Sequence, residues 1–333
     1  MYRTLLIPLD GSTEAELPLP AVTALVRKHS DRAGLVLLRS AGNSESHETT
    51  GPAQVRELEA TESYLNAVAS GIDQSGVKIT SIARYGDAVD VIVSQAQSEE
   101  AALIVMATHG RRGMDRVLHG SLTEAVLARA KQPVVVYGPA ATADTRFERM
   151  LVPLDGGPFS AAMLPEAARF AESFGIQRID LITVLPPQIV HVDDLDGTPP
   201  AWGLEQMGIT PIGGGNYALR ASQPPVRERI EELEHALNYW SERLGDCGAE
   251  VETRVEYNLG PSSIAQCTLK LAAELRSDIV VMRTHARRGL SRAVTGSVAD
   301  AVIRSSPLPV LLYTTQTLEA VTSAIPSSEV RST

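Results

Sequence analysis

The sequence predicts two tandem α/β domains, each built on a parallel sheet. Three observations carry this. The chain has 333 residues, enough for roughly two domains of ~150 residues each. It repeats itself at the scale of a whole domain. Within each repeat, short apolar runs alternate with helical periods, which is the pattern of βαβ units.

The repeat sets the frame. Leu5-Leu6-Ile7-Pro8-Leu9-Asp10-Gly11 returns as Met150-Leu151-Val152-Pro153-Leu154-Asp155-Gly156, so that Asp10 and Asp155 stand 145 residues apart. Further on, Thr108-His109-Gly110-Arg111-Arg112-Gly113 returns as Thr284-His285-Ala286-Arg287-Arg288-Gly289, now at a distance of 176. Gly120-Ser121 matches Gly296-Ser297, and the run ending in Tyr137 matches the run ending in Tyr313. The second repeat therefore carries about 31 extra residues between its landmarks. A period this long marks domains and no solenoid unit.

Each element has its own signal. Residues 5–9, 35–38, 103–107 and 134–137 are apolar runs too short for helices, and they suit strands buried on both faces. Pro8 and Pro153 cost a ladder bond, so a bulge or a strand end is expected there. Val55, Leu58, Leu65 and Val68 mark a helical stripe; Val226, Ile230, Leu233, Leu237, Trp240 and Leu244 mark a cleaner one in the second repeat. Cys267 shares a helical stripe with Ile264, Leu271 and Leu275, so a packing role is expected, whereas Cys247 reads as a turn residue. The boundaries expected are 1–140 for the first domain and 147–315 for the second. A Pro/Gly-rich insert at 186–225 reads as a long irregular loop, and a Ser/Thr-rich tail at 316–333 is expected to be loose.

Composition excludes several classes. The 44% hydrophobic and 21% charged fractions are those of a folded chain. Thirty basic against forty acidic residues give a net charge of −10, which disfavours nucleic acid as a partner. No apolar run approaches the ~18 residues of a membrane helix, and the first apolar run is broken too early for a signal peptide. Two cysteines argue against a disulfide framework. A soluble, cytoplasmic protein without a membrane partner is expected.

The chemistry concentrates where the fourth apolar run meets the loop from Thr108 to Gly113. That loop leads to Gly120-Ser121, which opens a helical period at Leu122, Val126, Leu127 and Ala130. Strand, glycine-bearing loop and helix N-terminus together present backbone N–H groups and a positive dipole end to phosphate. Arg111, Arg112 and Arg116 add cations. Neither a Walker A loop nor a G-x-G-x-x-G fingerprint occurs.

Gly110, separated by nine residues from Gly120-Ser121, with an Asp closing the first strand, resembles the universal stress protein family and its motif G-x-x-G, nine residues, G-[ST]. The resemblance spans both repeats. It implies two doubly wound domains, each a five-stranded parallel sheet of order 3-2-1-4-5, with the ligand at the switch point between strands one and four. Carried over, Asp10 would hold the adenosine end and Ser40 would lie near the base. Gly110, Gly113, Gly120 and Ser121 would surround phosphates, and Ala107, Arg111 and Leu122 would complete the nucleotide site. The family implies ATP or AMP, with Mg²⁺ admissible beside ATP; the residues themselves offer no clear general base and no zinc spacing, so no catalytic residue and no metal site are expected. Departures accumulate in the second repeat. Arg283 replaces Ala107 and Ala286 replaces Gly110, leaving Asp155, Gly289, Gly296 and Ser297 as a weaker second site.

Plainer readings stand beside these. Ser121-Leu122-Thr123-Glu124 is also a capping box, nearly repeated by Ser297-Val298-Ala299-Asp300. Asp10 could cap the turn that follows it. His109 and His285 have no readable nucleophile beside them and suit hydrogen-bonded loop positions. The acidic stretch from His191 to Gly197 fails EF-hand spacing, because Val192 and Gly203 fall at ligand positions. The function expected is a nucleotide-binding stress sensor or signalling module resting on the first repeat. An interaction scaffold of the same fold and a slow ATP hydrolase are the alternatives. Family likeness also implies that the last strands of the two repeats meet, a dimer imitated within one chain, with a homodimer as a further option and the protein partner unknown.

Overall fold

In the computed structural model the described residues are 4–28, 34–42, 51–73, 76–108, 121–187, 189–190, 208–213, 216–245, 247–259, 262–284 and 296–324. In chain order the strands are β1 (Thr4–Pro8), β2 (Gly34–Ala41), β3 (Lys78–Tyr85), β4 (Leu103–Ala107), β5 (Val134–Tyr137), β6 (Arg149–Pro153) and β7 (Arg178–Leu185). There follow β8 (Ile189–Val190), β9 (Ile209–Gly213), β10 (Asn216–Leu219), β11 (Glu250–Tyr257), β12 (Ile279–Thr284) and β13 (Val310–Thr314). The first repeat orders its strands β3-β2-β1-β4-β5 and the second β11-β7-β6-β12-β13, so each is a parallel 3-2-1-4-5 half-sheet. The two halves fuse into one ten-stranded sheet.

Central strands are apolar throughout because helices cover both of their faces; every residue of β4 and β5 is buried. Edge strands differ. In β11, Glu250, Glu252 and Arg254 project outward and alternate with the half-buried Val251, Thr253 and Val255. Pro8 and Pro153 are the last residues of β1 and β6, where a missing N–H costs least.

The helices are α1 (Thr13–Glu16), α2 (Leu19–Lys28), α3 (Gly51–Gly71), α4 (Ala88–Ser98), α5 (Ser121–Arg129) and α6 (Pro158–Ala161). They continue with α7 (Leu164–Phe174), α8 (Pro224–Leu244), α9 (Ile264–Glu274), α10 (Ser297–Ser305) and α11 (Thr315–Ala324). One face of the sheet buries Ala15, Leu19, Leu65, Phe170 and Leu237 from α1, α2, α3, α7 and α8. The opposite face buries Ile92, Val126, Leu271 and Ile303 from α4, α5, α9 and α10. Cys267 packs in that second core as expected, and Cys247 is buried against the first; both are free thiols. Among the described residues no helix is long and apolar enough to cross a membrane.

Three expectations are corrected. Val55 is 54% exposed; the buried stripe of α3 runs through Thr61, Leu65 and Ala69, and Val55 sits about 100° away from half-buried Gln54 on that line. The insert is not wholly irregular. Its β8, β9 and β10 form a small antiparallel sheet, and Pro224-Pro225 open α8 at positions where no N–H is needed. This sheet is held over the second half-sheet by Tyr257, whose hydroxyl donates to the Leu219 carbonyl at 2.6 Å. Residues 191–207, with the acidic stretch, lie outside the described residues. The tail, finally, is helical as far as Ala324. Thr317 is buried and its N–H donates to Thr314 Oγ1 at 3.1 Å. Gln316 Nε2 reaches the Ala128 carbonyl at 2.9 Å, tying α11 to the first repeat.

The halves meet where β13 pairs antiparallel with β5, Leu312 opposite Val134, Leu311 opposite Val135 and Val310 opposite Val136. Each strand would otherwise present an apolar edge. Leu311 is fully buried on this seam, so Leu311→Ala is expected to cost about 2–5 kcal/mol. Denaturant unfolding of the variant should show the midpoint falling for both repeats together, and two separated transitions with an unmoved first midpoint would refute the coupling.

Candidate functional site

The order of each half-sheet reverses between strands one and four, and this opens a crevice beyond their carboxyl ends. In the first repeat β1 delivers Leu9, whose N–H extends the ladder to the Leu38 carbonyl at 2.7 Å, and then Asp10. The chain must turn at once into α1. Gly11 makes the turn at φ +95°, with the Arg39 guanidinium 3.0 Å from where a Cβ would stand. Asp10 braces the turn, its Oδ1 accepting from Ser12 N at 2.9 Å and Ser12 Oγ at 2.6 Å, while Ser12 caps α1. The turn role foreseen for Asp10 is therefore real, and the same carboxylate also lines the cleft.

That cleft has a volume of about 500 Å³, and Asp10, Ser40, Ala107 and Leu122 all line it. Ser40 donates to the Gly86 carbonyl at 2.5 Å, fastening the end of β2 to the turn before α4. Ala107 ends β4, where its single methyl leaves the crevice open. Ser121 is the first residue of α5, as its place at a helix start requires. Gly110, Arg111, Gly113 and Gly120 lie outside the described residues, as do His109, Arg112 and Arg116.

The cleft has two chemical sides. Leu38, Ile92, Met106 and Leu122 make an apolar wall on the α4–α5 face. Asp10, Arg39, Glu57 and Thr61 supply polar groups on the α1–α3 face. Arg39, Glu57 and Thr61 were not singled out from the sequence, although Glu57 and Thr61 share a helix face at i, i+4 and Arg39 adjoins Ser40. Arg39 lies 4.6 Å over the ring of Tyr64, whose hydroxyl donates to Glu16 Oε1 at 2.6 Å. Burial, then the bond to Glu16, pushes the Tyr64 phenol well above its usual range.

The second repeat builds the same turn, with larger side chains at the positions of Ala107 and Thr61. Asp155 accepts from Gly157 N at 2.8 Å and Ser160 Oγ at 2.5 Å. At the position of Ala107, Arg283 reaches across, donating from Nη1 to the Phe159 carbonyl at 2.5 Å with its guanidinium 3.7 Å above the Phe159 ring. Burial lowers its pKa, opposed by Glu319 of α11. Leu233 occupies the position of Thr61, because α3 and α8 share their burial pattern at a spacing of 172 residues, Leu65 matching Leu237. Its Cδ2 would stand 2.4 Å from a Cβ on Gly156. The capping box read at Ser297 is corrected: Gly296 is the N-cap of α10, no side chain caps it, and Ser297 is already helical. The Gly296 N–H donates instead to Thr284 Oγ1 at 3.3 Å. Gly289 and His285 lie outside the described residues.

Against this geometry, the family model described as the universal stress protein family matches residues 1–138 and 214–314. The chain belongs to the universal stress protein family. A universal stress protein of Methanocaldococcus jannaschii is 26% identical over 153 residues, covering 41% of this chain and 94% of that protein. A universal stress protein of Mycobacterium tuberculosis is 27% identical over 219 residues, covering 65% of this chain and 62% of the relative's length. Among solved structures, a universal stress protein from Archaeoglobus fulgidus superposes with a TM-score of 0.61 at 20% identity, covering 94% of this chain and 97% of that one. A functionally unknown protein from Pseudomonas aeruginosa gives 0.56 at 16% identity, covering 97% and 98%. Both structures share the fold of this chain over nearly its whole length.

One residue of this site is fixed by backbone conformation. Gly11→Ala is expected to destabilise the first repeat by about 1–2 kcal/mol, since an L-residue is strained at its φ and the new methyl presses on Arg39. Thermal unfolding of the variant checks this; an unchanged midpoint would show that the turn relaxes freely.

Proposed function

We propose that this protein binds an adenine nucleotide, ATP or AMP, in its first repeat and serves as a stress-responsive sensor or signalling module in the cytoplasm. The observation that carries this is the open cleft at the β1–β4 switch point, lined by Asp10, Ser40, Ala107 and Leu122. An apolar wall suited to a base faces polar groups suited to a sugar, and the cleft adjoins the start of α5, where a helix dipole favours phosphate. Gly110, Arg111, Gly113 and Gly120, which lie outside the described residues, would complete the phosphate cradle. Mg²⁺ would arrive with ATP.

Asymmetry between the repeats is part of this reading. Arg283 and Leu233 stand where Ala107 and Thr61 keep the first cleft open, so one nucleotide per chain is expected. The guanidinium is held by a carbonyl and a ring, which makes it a plug in the second crevice and not a free phosphate ligand.

Isothermal titration with ATP and AMP tests the proposal. A stoichiometry near one is expected, with binding abolished in Ala107→Arg, which copies the second repeat's plug into the first cleft, and in Gly120→Val. Circular dichroism should show both variants folded. Unaltered nucleotide affinity in folded Ala107→Arg would place any nucleotide elsewhere, and turnover lost in Asp10→Asn would favour the hydrolase alternative.

A further inference from the structure

The α1–α3 wall of the first cleft carries charged groups that the fold itself leaves unpaired. Arg39 lies 4.6 Å over the Tyr64 ring and against Gly11, 3.0 Å from where a Cβ would stand. Among the described residues its guanidinium makes no hydrogen bond or ion pair, and none of its nitrogens is sealed from solvent. Glu57 lines the same cleft and is equally unpaired among the described residues, with Oε2 buried and Oε1 accessible. A guanidinium offers donors only and a carboxylate acceptors only. Here the two share one cleft without bridging to each other.

The second repeat lacks this arrangement. The strand registers, Leu5 opposite Leu35 and Met150 opposite Ile179, make Thr183 the counterpart of Arg39. The 172-residue spacing of α3 and α8 makes Arg229, Leu233 and Ala236 the counterparts of Glu57, Thr61 and Tyr64. Glu16, which accepts from the Tyr64 hydroxyl, corresponds to Ala161. Arg229 is paired with Glu232 at 2.8 Å. Where Arg39 lies against the turn glycine of the first repeat, Leu233 lies against Gly156 in the second. The unpaired set therefore occurs in the open cleft and not in its duplicate.

The shape of the cleft selects the part of a ligand that meets this wall. Leu38, Ile92, Met106 and Leu122 on the opposite side would take a base lying flat. The donors and acceptors of a base lie in its ring plane and run along that side. A ribose stands roughly perpendicular to its base and crosses toward Arg39 and Glu57. Two acidic side chains, Asp10 and Glu57, against one basic leave the wall without the positive charge that a phosphate needs. A vicinal diol suits it, since each hydroxyl can accept from a guanidinium and donate to a carboxylate.

We propose that Arg39 and Glu57 determine ribose specificity in the first cleft. Glu57 accepts from a hydroxyl of the 2′,3′-diol, Arg39 donates to the diol, and Tyr64 with Glu16 positions Arg39. The cleft thereby selects ribonucleotides over nucleotides that lack the diol. This assignment rests on the nucleotide reading given above and adds a substrate feature to it.

Titration calorimetry of the full chain with ATP and with 2′,3′-dideoxy-ATP, which lacks only the diol, is the test. The dideoxy ligand should bind about ten- to a hundredfold more weakly. Glu57→Leu and Arg39→Met should each weaken ATP by about tenfold while leaving the dideoxy ligand within about twofold, so that the gap narrows. A residue that merely shapes the cleft would lower both ligands alike. Measurable and equal affinity for the two ligands in the unaltered protein overturns the proposal and leaves the nucleotide reading standing, and this comparison holds whether or not a variant folds. An equal loss of both ligands in either folded variant likewise overturns it. Failure of the unaltered protein to bind ATP overturns the proposal and the nucleotide reading together.

Discussion

The antiparallel join of β5 to β13 is the constraint on which the rest of the molecule depends. Each half-sheet is parallel, so all the strand ends that carry chemistry in one half point the same way. Joining the halves antiparallel turns those ends toward opposite edges of the common sheet. The two crevices are thereby kept apart, and each evolves in its own surroundings. The open one faces α1, α3, α4 and the start of α5; the other lies beneath Arg283, Leu233 and α11.

A duplicated fold provides an internal control that a single domain lacks. The same backbone occurs twice, so a residue's contribution can be judged against its counterpart. Ala107 of β4 stands against Arg283 of β12, a methyl against a guanidinium held by the Phe159 carbonyl and ring. Gly11 and Gly156, by contrast, agree, since both make the turn with positive φ that follows the strand-ending Asp. What agrees between the repeats belongs to the scaffold, and what differs belongs to the site.

Most of the scaffold was legible because its signals are local. Buried central strands read as apolar runs, and the repeated landmarks put Asp10, Ala107 and Leu122 around one crevice through the family's strand order. Edge strands β3 and β11 escaped a search for apolar runs because their outward positions carry charges such as Glu250 and Arg254. The helix α11 escaped for a different reason. Its anchors are the hydrogen bonds of Thr314, Gln316 and Thr317 with Leu318 packed beside them, too little apolar material to make a pattern. Arg39 and Glu57 reach the cleft through tertiary packing, which spacing in the chain does not reveal.

The seam also fixes an order of events at the ribosome. Val134–Tyr137 is synthesised long before Val310–Thr314, yet these two strands cover each other. Until the last strand emerges, the finished first half carries an apolar β edge, the feature by which nascent chains stick to one another. The seam thus closes only once β13 has been made. A ribosome stalled in the second repeat would leave behind a half-molecule that is folded but adhesive, and cells making this protein would have to shelter that intermediate or clear it.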